Sequence, residues 1–196
     1  MILNKIEKML MNNNIRAFIQ RHFEAKLLFN MGGSASNATV LEIGCGRGVG
    51  VEIIYDIFGA KNIHAFDLDS DMVNIARKRL YKYGDKLNLW VGDVTNIQSN
   101  DNFYDAVFDF GIIHHVPNWI DALKEIYRVL KPGGRFYCEE IFEAFINFPI
   151  WRMLLDHPLE NRFDYLKFIN GLKETGFVIM SSKNFYQQFG IFIADK

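Results

Sequence analysis

The stretch that decides the fold is Val40-Leu41-Glu42-Ile43-Gly44-Cys45-Gly46-Arg47-Gly48-Val49-Gly50. A short apolar run ends in an acidic residue and then gives way to glycines at alternating positions. Beyond it, apolar residues recur at three- and four-residue spacing, which is typical of a helix. The pattern predicts a buried strand, a tight turn and the start of a helix. Glycine permits positive φ and lets a ligand approach the backbone, and the first N–H groups of the helix can face that ligand.

The spacing of the glycines decides between kinds of ligand. A dinucleotide-binding turn needs G-x-G-x-x-G, but Val49 and Val51 stand at the third glycine position in the two possible registers. A phosphate-binding P-loop is excluded as well, because no Gly-Lys-Ser or Gly-Lys-Thr follows. The remaining motif is E-x-G-x-G-x-G directly after a strand.

The second predicted strand, residues 62–66, ends at an acidic residue. Asp67 at that end can accept hydrogen bonds from two adjacent ribose hydroxyls. Asp69 could compete for this role, although Asp69 and Ser70 resemble the turn and the cap of the next helix, with Ser70 as the cap. The expected buried face of that helix consists of Met72, Ile75, Ala76 and Leu80.

A third strand is predicted at residues 87–91, followed by Asp93 and Val94. The carboxylate of Asp93 could accept from the exocyclic amine of adenine, and Val94 offers an apolar edge to the ring. A fourth strand is predicted at residues 104–110, without alternation of apolar and polar residues, as expected of a central strand that is covered on both faces.

The run from Tyr104 to Phe136, YDAVFDFGIIHHVPNWIDALKEIYRVLKPGGRF, combines a strand, a His-Val-Pro loop, a helix, a Lys-Pro-Gly-Gly stop and a fifth strand. Together with the glycine turn, Asp67 and Asp93, it resembles the class I S-adenosylmethionine-dependent methyltransferases. The similarity is to the small-molecule, methyltransferase type 11-like branch and covers residues 38–141. It implies an α/β fold: a Rossmann-like, doubly wound, seven-stranded and mostly parallel sheet with an antiparallel last strand and helices on both faces.

The resemblance implies one methyltransferase domain over residues 1–196. Residues 1–37 would form a helical extension or lid, residues 38–141 the cofactor-binding core, and residues 142–196 a substrate-side segment with a helix from Asn161 and a terminal strand pair. We expect the extension to form helical pieces that pack on the core. The alternative is a lid over the active site or a weakly basic, membrane-facing surface. The expected apolar stripes are Ile2, Ile6, Met9 and Leu10, followed by Ile15, Phe18, Ile19, Phe23 and Leu27.

The resemblance also assigns roles to single residues. The implied cofactor is S-adenosyl-L-methionine, which becomes S-adenosyl-L-homocysteine. His115 or His114, after strand four, could take a proton from an oxygen or nitrogen acceptor, or could only shape the pocket. The scattered histidines show no metal-ligand spacing, so no metal is expected. The expected cofactor-binding residues are Glu42, Gly44, Cys45, Gly46, Gly48, Asp67, Leu68, Asp93, Val94, Phe110 and Gly111.

Composition limits the partners and the compartment. The net charge of -1 leaves no basic footprint for nucleic acid. Two distant cysteines fit a reducing cytoplasm, and no apolar run approaches the roughly 20 residues of a bilayer-spanning helix. We therefore predict a cytoplasmic enzyme with a small-molecule acceptor, hydrophobic or aromatic, which is methylated on oxygen, nitrogen or carbon; the oligomeric state stays open.

Three other functions are alternatives to this prediction. A nicotinamide-dependent oxidoreductase is disfavoured by Val49 and Val51. A non-catalytic module that binds S-adenosylmethionine would keep the same cofactor residues, so the sequence does not separate it from an enzyme. A nucleic-acid methyltransferase is disfavoured by the net charge and by Asp109-Phe110-Gly111-Ile112, which stands where Asn-Pro-Pro-Tyr or Asp-Pro-Pro-Tyr would be expected.

Overall fold

The chain folds around one seven-stranded sheet in the computed structural model, which describes residues 13–147 and 161–196. The strands are β1 (Thr39–Ile43), β2 (Asn62–Asp67), β3 (Leu87–Val91), β4 (Tyr104–Phe110), β5 (Leu130–Ile141), β6 (Val178–Phe185) and β7 (Phe189–Asp195). The α-helices are α1 (Asn14–Ile19), α2 (Ala25–Gly32), α3 (Val49–Ile53), α4 (Ser70–Leu80), α5 (Trp119–Val129), α6 (Glu143–Ile146) and α7 (Tyr165–Thr175). A π-helical turn, Gln20–Glu24, joins α1 to α2, a second one, Ile54–Phe58, extends α3, and short 3₁₀ turns lie at Tyr81–Lys86 and Ile113–His115.

The strand order is β3-β2-β1-β4-β5-β7-β6. Strands β1 to β5 pair in parallel, whereas β7 is antiparallel to both of its neighbours, β5 and β6. This confirms the predicted doubly wound sheet with an antiparallel last strand. The chain order reverses between β1 and β4, and in such sheets ligands bind at the carboxyl ends of the strands beside this reversal.

The core has two parts, one on each face of the sheet. Successive residues of a strand point to opposite faces, so Val40 packs with α2, α3 and α4, whereas Leu41 packs with α5 and α7. Six of the seven residues of β4 are buried, the exception being the half-buried Asp105. The absence of alternation in its sequence is thereby explained, because both faces of this central strand are covered by helices.

The predicted stripe on the N-terminal helix is wrong. Ile15, Phe18, Ile19 and Phe23 are 74%, 56%, 41% and 64% exposed. The inward side of α1, with Arg16 and Ala17, faces a cavity and not the apolar core, so a stripe of apolar residues does not mark it. Behind the π-helical turn the contact with the core passes to Ala25 and Leu28, with Leu27 half-buried.

Helix α4 differs from its prediction in two details. Asp69, and not Ser70, caps it, because the Asp69 side chain accepts a hydrogen bond from the backbone N–H of Asp71 at 2.9 Å. Val73 is buried where the prediction had Ile75, which is 45% exposed. The helix therefore turns a slightly different face to the sheet.

Two predicted boundaries move as well. Helix α7 begins at Tyr165 and not at Asn161, because the side chain of Asp164 caps it by accepting from the N–H of Lys167 at 2.7 Å. The predicted stripe at Ile2 to Leu10, and residues 148–158 of the aromatic segment after β5, lie outside the described residues. Within residues 13–147 and 161–196, no helix is both long enough and apolar enough to cross a bilayer.

Candidate active site

A cavity of about 360 Å³ lies at the carboxyl ends of the first four strands. Its volume is within the range of pockets that hold small molecules. The glycine turn after β1, the ends of β2 and β3, and the turn after β4 form its walls, and α1 contributes Arg16, Ala17 and Gln20. Of the predicted cofactor and catalytic residues, those that line the cavity are Glu42, Gly44, Cys45, Gly46, Asp67, Leu68, Asp93, Val94, Phe110, Gly111 and His115.

The glycines of the turn serve two different purposes. Gly44, Gly46 and Gly48 all have positive φ, at 66°, 50° and 87°. A Cβ on Gly44 would lie 2.5 Å from Cγ2 of Ile112, so the turn passes close to the loop after β4. Gly48 is not among the residues that line the cavity; a Cβ there would lie 2.6 Å from Cδ1 of Leu80, so Gly48 lets α3 pack against α4.

Glu42 places a buried carboxyl group at the base of the cavity. It is 2% exposed, and Oε2 has no hydrogen-bond partner among the described residues. Burial raises the pKa of Glu42 well above its ordinary value, and the nearby carboxyl groups of Asp67 and Asp109 raise it further. A buried acceptor oxygen without a donor is costly, so this position favours a ligand that brings a donor or a cation.

Asp67 holds the glycine turn in place. Its Oδ2 accepts from the N–H of Gly46, and its Oδ1 accepts from the N–H of Asp69, both at 2.8 Å. Asp67 also lines the cavity, and a carboxylate oxygen can accept more than one hydrogen bond. Asp69, the competing candidate, also lines the cavity and caps α4.

Asp93 and Val94 occupy the turn after β3. The Oδ1 of Asp93 accepts from the backbone N–H and from the hydroxyl of Thr95, each at 2.8 Å. Val94 is 6% exposed and gives this wall an apolar surface, whereas Leu68 is 41% exposed at the rim. The wall combines an acceptor with an apolar edge.

Cys45 is a structural member of the wall. The residue is 5% exposed, and burial raises the pKa of its thiol well above the usual value, with the carboxyl groups of Glu42 and Asp67 adding to the effect. A thiol with a raised pKa is a poor nucleophile at neutral pH, in line with a spacer in the turn. Among the residues that the structure describes, no group of three potential metal ligands comes together.

The two histidines after β4 have different surroundings. His115 lines the cavity, together with Phe110 and Gly111. His114 does not, and its Nδ1 lies 2.6 Å from Oε2 of Glu140. The two imidazole rings are neighbours, with centroids 4.1 Å apart, and both residues are buried.

Helix α1 is tied across the cavity by two arginines. The Arg16 guanidinium forms ion pairs with Glu24 and with Glu139, the latter at 3.1 Å, and Arg47 donates to the carbonyl oxygen of Asn13 at 2.8 Å. Sequence reasoning did not single out Arg16, Gln20 or Glu139. No local motif marks them, because α1 and the end of β5 are far apart in the chain and meet only in the folded protein.

The sheet order and the cavity at the switch between β1 and β4 define a Rossmann-like α/β protein. The pattern of the "Methyltransferase domain" family matches residues 41–138, which is half of the chain. The chain belongs to this family, the class I S-adenosylmethionine-dependent methyltransferases, with S-adenosyl-L-methionine as the implied cofactor.

Relatives and solved structures agree with this assignment. Phosphoethanolamine N-methyltransferase 2 of Caenorhabditis elegans is 30% identical over 169 residues, which are 84% of this chain and 38% of the relative. Fatty-acid O-methyltransferase of Mycolicibacterium smegmatis is 34% identical over 122 residues, which are 62% of this chain and 43% of the relative. The chain thus spans less than half the length of these two relatives.

A chain in the complex of the Haloferax volcanii Trm112 methyltransferase activator with a methyltransferase has a similar fold. Its TM-score is 0.79 at 18% identity, with 100% of this chain and 99% of that chain covered. At this low identity the likeness supports the fold alone. The likeness is not limited to the region that the family pattern matches.

Proposed function

We propose that the chain binds S-adenosylmethionine in this cavity and catalyses transfer of its methyl group to a small, hydrophobic or aromatic acceptor. The observation that carries the proposal is the buried Glu42 carboxyl, whose Oε2 lacks a partner among the described residues, at the base of a cavity formed by the glycine turn, Asp67, Asp93 and the turn after β4. When bound, the cofactor supplies an electrophilic methyl group on a sulfonium.

Each part of the cavity wall suits one part of this cofactor. Glu42 offers an acceptor to the ammonium group of the amino-acid end, where a positive charge lowers the cost of a buried carboxylate. Asp67 keeps acceptor capacity for the ribose hydroxyls. Asp93 and Val94 suit the exocyclic amine and the edge of adenine, and Phe110 covers the methionine side. The backbone of Gly44 and Gly46 would lie against the cofactor.

The acceptor side of the cavity is largely apolar. Ala17, Ile112, Val116 and Pro117 line it together with His115. Apolar walls favour an acceptor with a hydrophobic or aromatic body. The two named relatives act on a phosphoethanolamine and on a fatty acid, so the family accommodates acceptors with little in common, and the acceptor of this chain has to be found by experiment.

The chemistry requires mainly alignment and exclusion of water. Holding two reactants in near-attack geometry contributes about 7–11 kcal/mol to such a displacement. His115 is buried and lies on the cavity wall, where a neutral imidazole can take the proton that an oxygen or nitrogen acceptor loses. Helix α1 lines the cavity through Arg16 and Ala17, and in this proposal it helps to shield the reactants from water.

Calorimetric titration with S-adenosylmethionine, S-adenosylhomocysteine and, separately, NAD tests the proposal. We expect the first two to bind and NAD not to bind. Glu42→Gln keeps the shape of the side chain and removes its charge, so it should weaken both ligands at least tenfold, or about 1.4 kcal/mol. Glu174→Gln, on the exposed side of α7, is the matched control and should bind as the wild type does.

Four outcomes would contradict the proposal. Binding of NAD would favour an oxidoreductase, and binding of none of the three ligands would remove the basis for a cofactor site. Equal affinities in the wild type and in Glu42→Gln would mean that the buried carboxyl does not face the ligand. Binding without methyl transfer to any member of a panel of fatty acids, quinols, phenols and amines would favour the non-catalytic module.

A further inference from the structure

Two buried carboxyl groups receive the first four backbone N–H groups that follow β4, those of residues 111–114. Asp109 at the end of β4 and Glu140 near the end of β5 are 0% and 1% exposed. The hydrogen bonds run from Gly111 and Ile112 to Oδ1 of Asp109, at 3.1 and 2.9 Å, and from Ile113 and His114 to Glu140, at 2.5 and 3.3 Å. Because four consecutive backbone N–H groups donate to these two carboxyl groups, the turn is held in one conformation.

Glu140 also binds the side chain of His114. Its Oε2 lies 2.6 Å from Nδ1 of His114 and accepts from the N–H of Ile141 at 3.1 Å. The His114 and Glu140 side chains are 3% and 0% exposed, so water does not compete for this contact. The neighbouring His115, which packs against the His114 ring, is the histidine that lines the cavity.

The groups around Glu140 favour a carboxylate that accepts hydrogen bonds at this position. Burial raises the pKa of Asp109 well above its usual value, and the charge of Glu140 and a hydrogen bond with it raise that pKa further. The Glu140 oxygens accept from the backbone N–H groups of Ile113, His114 and Ile141. Burial raises the pKa of Glu140 to about 7, and the hydrogen bond from Asp109 and those from the backbone offset part of this effect. The other titratable group of the cluster, Cys138, donates to Oδ2 of Asp109 at 3.3 Å.

We propose that Glu140 is a positioning residue: it holds His114 as the Nδ1–H tautomer and fixes the turn Ile113–His115, so that His115 and not His114 faces the acceptor. The inference rests on the proposed function, in which His115 takes the proton that the acceptor loses. It assigns His114 a supporting role, because its Nδ1 is occupied by the carboxylate and its ring is not part of the cavity wall.

The tautomer of His114 can be measured on the full chain without cofactor or acceptor. We expect nitrogen-15 spectra of labelled histidines at pH 8 to show a proton on Nδ1 of His114, with the signal assigned by its absence in His114→Gln. A bare Nδ1 with the proton on Nε2 would overturn the proposal. Failure here would leave cofactor binding intact, whereas failure of the calorimetric titration would leave this tautomer unchanged, so the two proposals fail separately.

A pair of neighbouring variants isolates the role of Glu140. Glutamine has a single acceptor oxygen, so Glu140→Gln cannot serve both the Ile113 side and the His114 side of the carboxylate. In this variant we expect the amide protons of Ile113 and His114 to exchange at least about tenfold faster, and the His115 signals to shift, as for loss of a charge-assisted hydrogen bond.

Glu139→Gln is the control, because Glu139 is the preceding residue of β5, is equally buried, and pairs with Arg16 instead of the turn. It should leave the His114 tautomer and the exchange of the turn unchanged. Unchanged exchange in a folded Glu140→Gln, checked by circular dichroism, would overturn the proposal. If Glu140→Gln does not fold, the wild-type tautomer still decides between the two outcomes.

Discussion

Replacing Gly50 by alanine tests how closely helix α3 fits against the buried carboxyl of Glu42. Gly50 lies in α3, where alanine is the better helix former by about 1 kcal/mol. A Cβ at this position would nevertheless lie 1.9 Å from Oε1 of Glu42 and 2.8 Å from Cδ2 of Phe110. The substitution therefore sets a local backbone gain against a steric conflict at the cavity.

The steric conflict should prevail. Ordinary contact begins at 3.4 Å, so the Glu42 carboxyl would have to move by about 1.5 Å. Strand β1 cannot move with it, because it is hydrogen-bonded to β2 on one side and to β4 on the other. Overpacking of this kind costs about 1–3 kcal/mol, and the gain in helix propensity offsets about 1 kcal/mol of it. We expect a net loss of up to about 2 kcal/mol in the free energy of unfolding.

Urea unfolding and calorimetry with S-adenosylhomocysteine measure the two consequences. Gly50→Ala should lower the stability and also weaken binding at least tenfold, because the displaced carboxyl no longer faces the ligand. Gly133→Ala is the control: Gly133 has a φ of +76° and open space around it, so alanine there costs about 1 kcal/mol through the backbone alone and leaves affinity unchanged. Wild-type stability and affinity in Gly50→Ala would refute the reasoning.

Three further predictions follow from burial and charge. The free energy of unfolding should fall as pH rises from 5 to 8. A carboxyl group whose pKa is raised in the folded state stabilises the fold fully below its ordinary pKa of 4.5, and this contribution is lost as the pH rises through the folded-state pKa; for Glu140 that pKa is about 7, so the loss is about 3 kcal/mol. A rise in stability across this range in urea unfolding would contradict the prediction. Arg16→Met should cost about 2 kcal/mol at pH 8 by leaving Glu139 without its cation, and the double variant Arg16→Met/Glu139→Gln should recover part of the loss. Phe23→Ser should change the free energy of unfolding by less than about 0.5 kcal/mol, because the side chain is 64% exposed, and a larger loss in thermal unfolding would show that the face is covered.

The sequence alone determined the strands, their ends and the family. The apolar runs of β1 and β4, the glycines that need positive φ, and the acidic residues at strand ends are local patterns, and their order carried the family resemblance that implied the seven-stranded sheet. The predicted cavity residues came together for the same reason, since the carboxyl ends of parallel strands meet at one edge. Their contacts with a bound cofactor stay predictions.

Tertiary structure alone decided which side chains meet across long distances in the chain. Glu140 lies 26 residues from the histidine it holds, and Arg16 lies 123 residues from Glu139, so no periodicity or motif relates them. The same limit explains the wrong stripe on α1: an apolar repeat shows that a helix has two faces, but in the folded protein the face with Arg16 and Ala17 is the one that turns towards the cavity. Burial depends on what an element packs against, and that partner is fixed only when the whole sheet has formed.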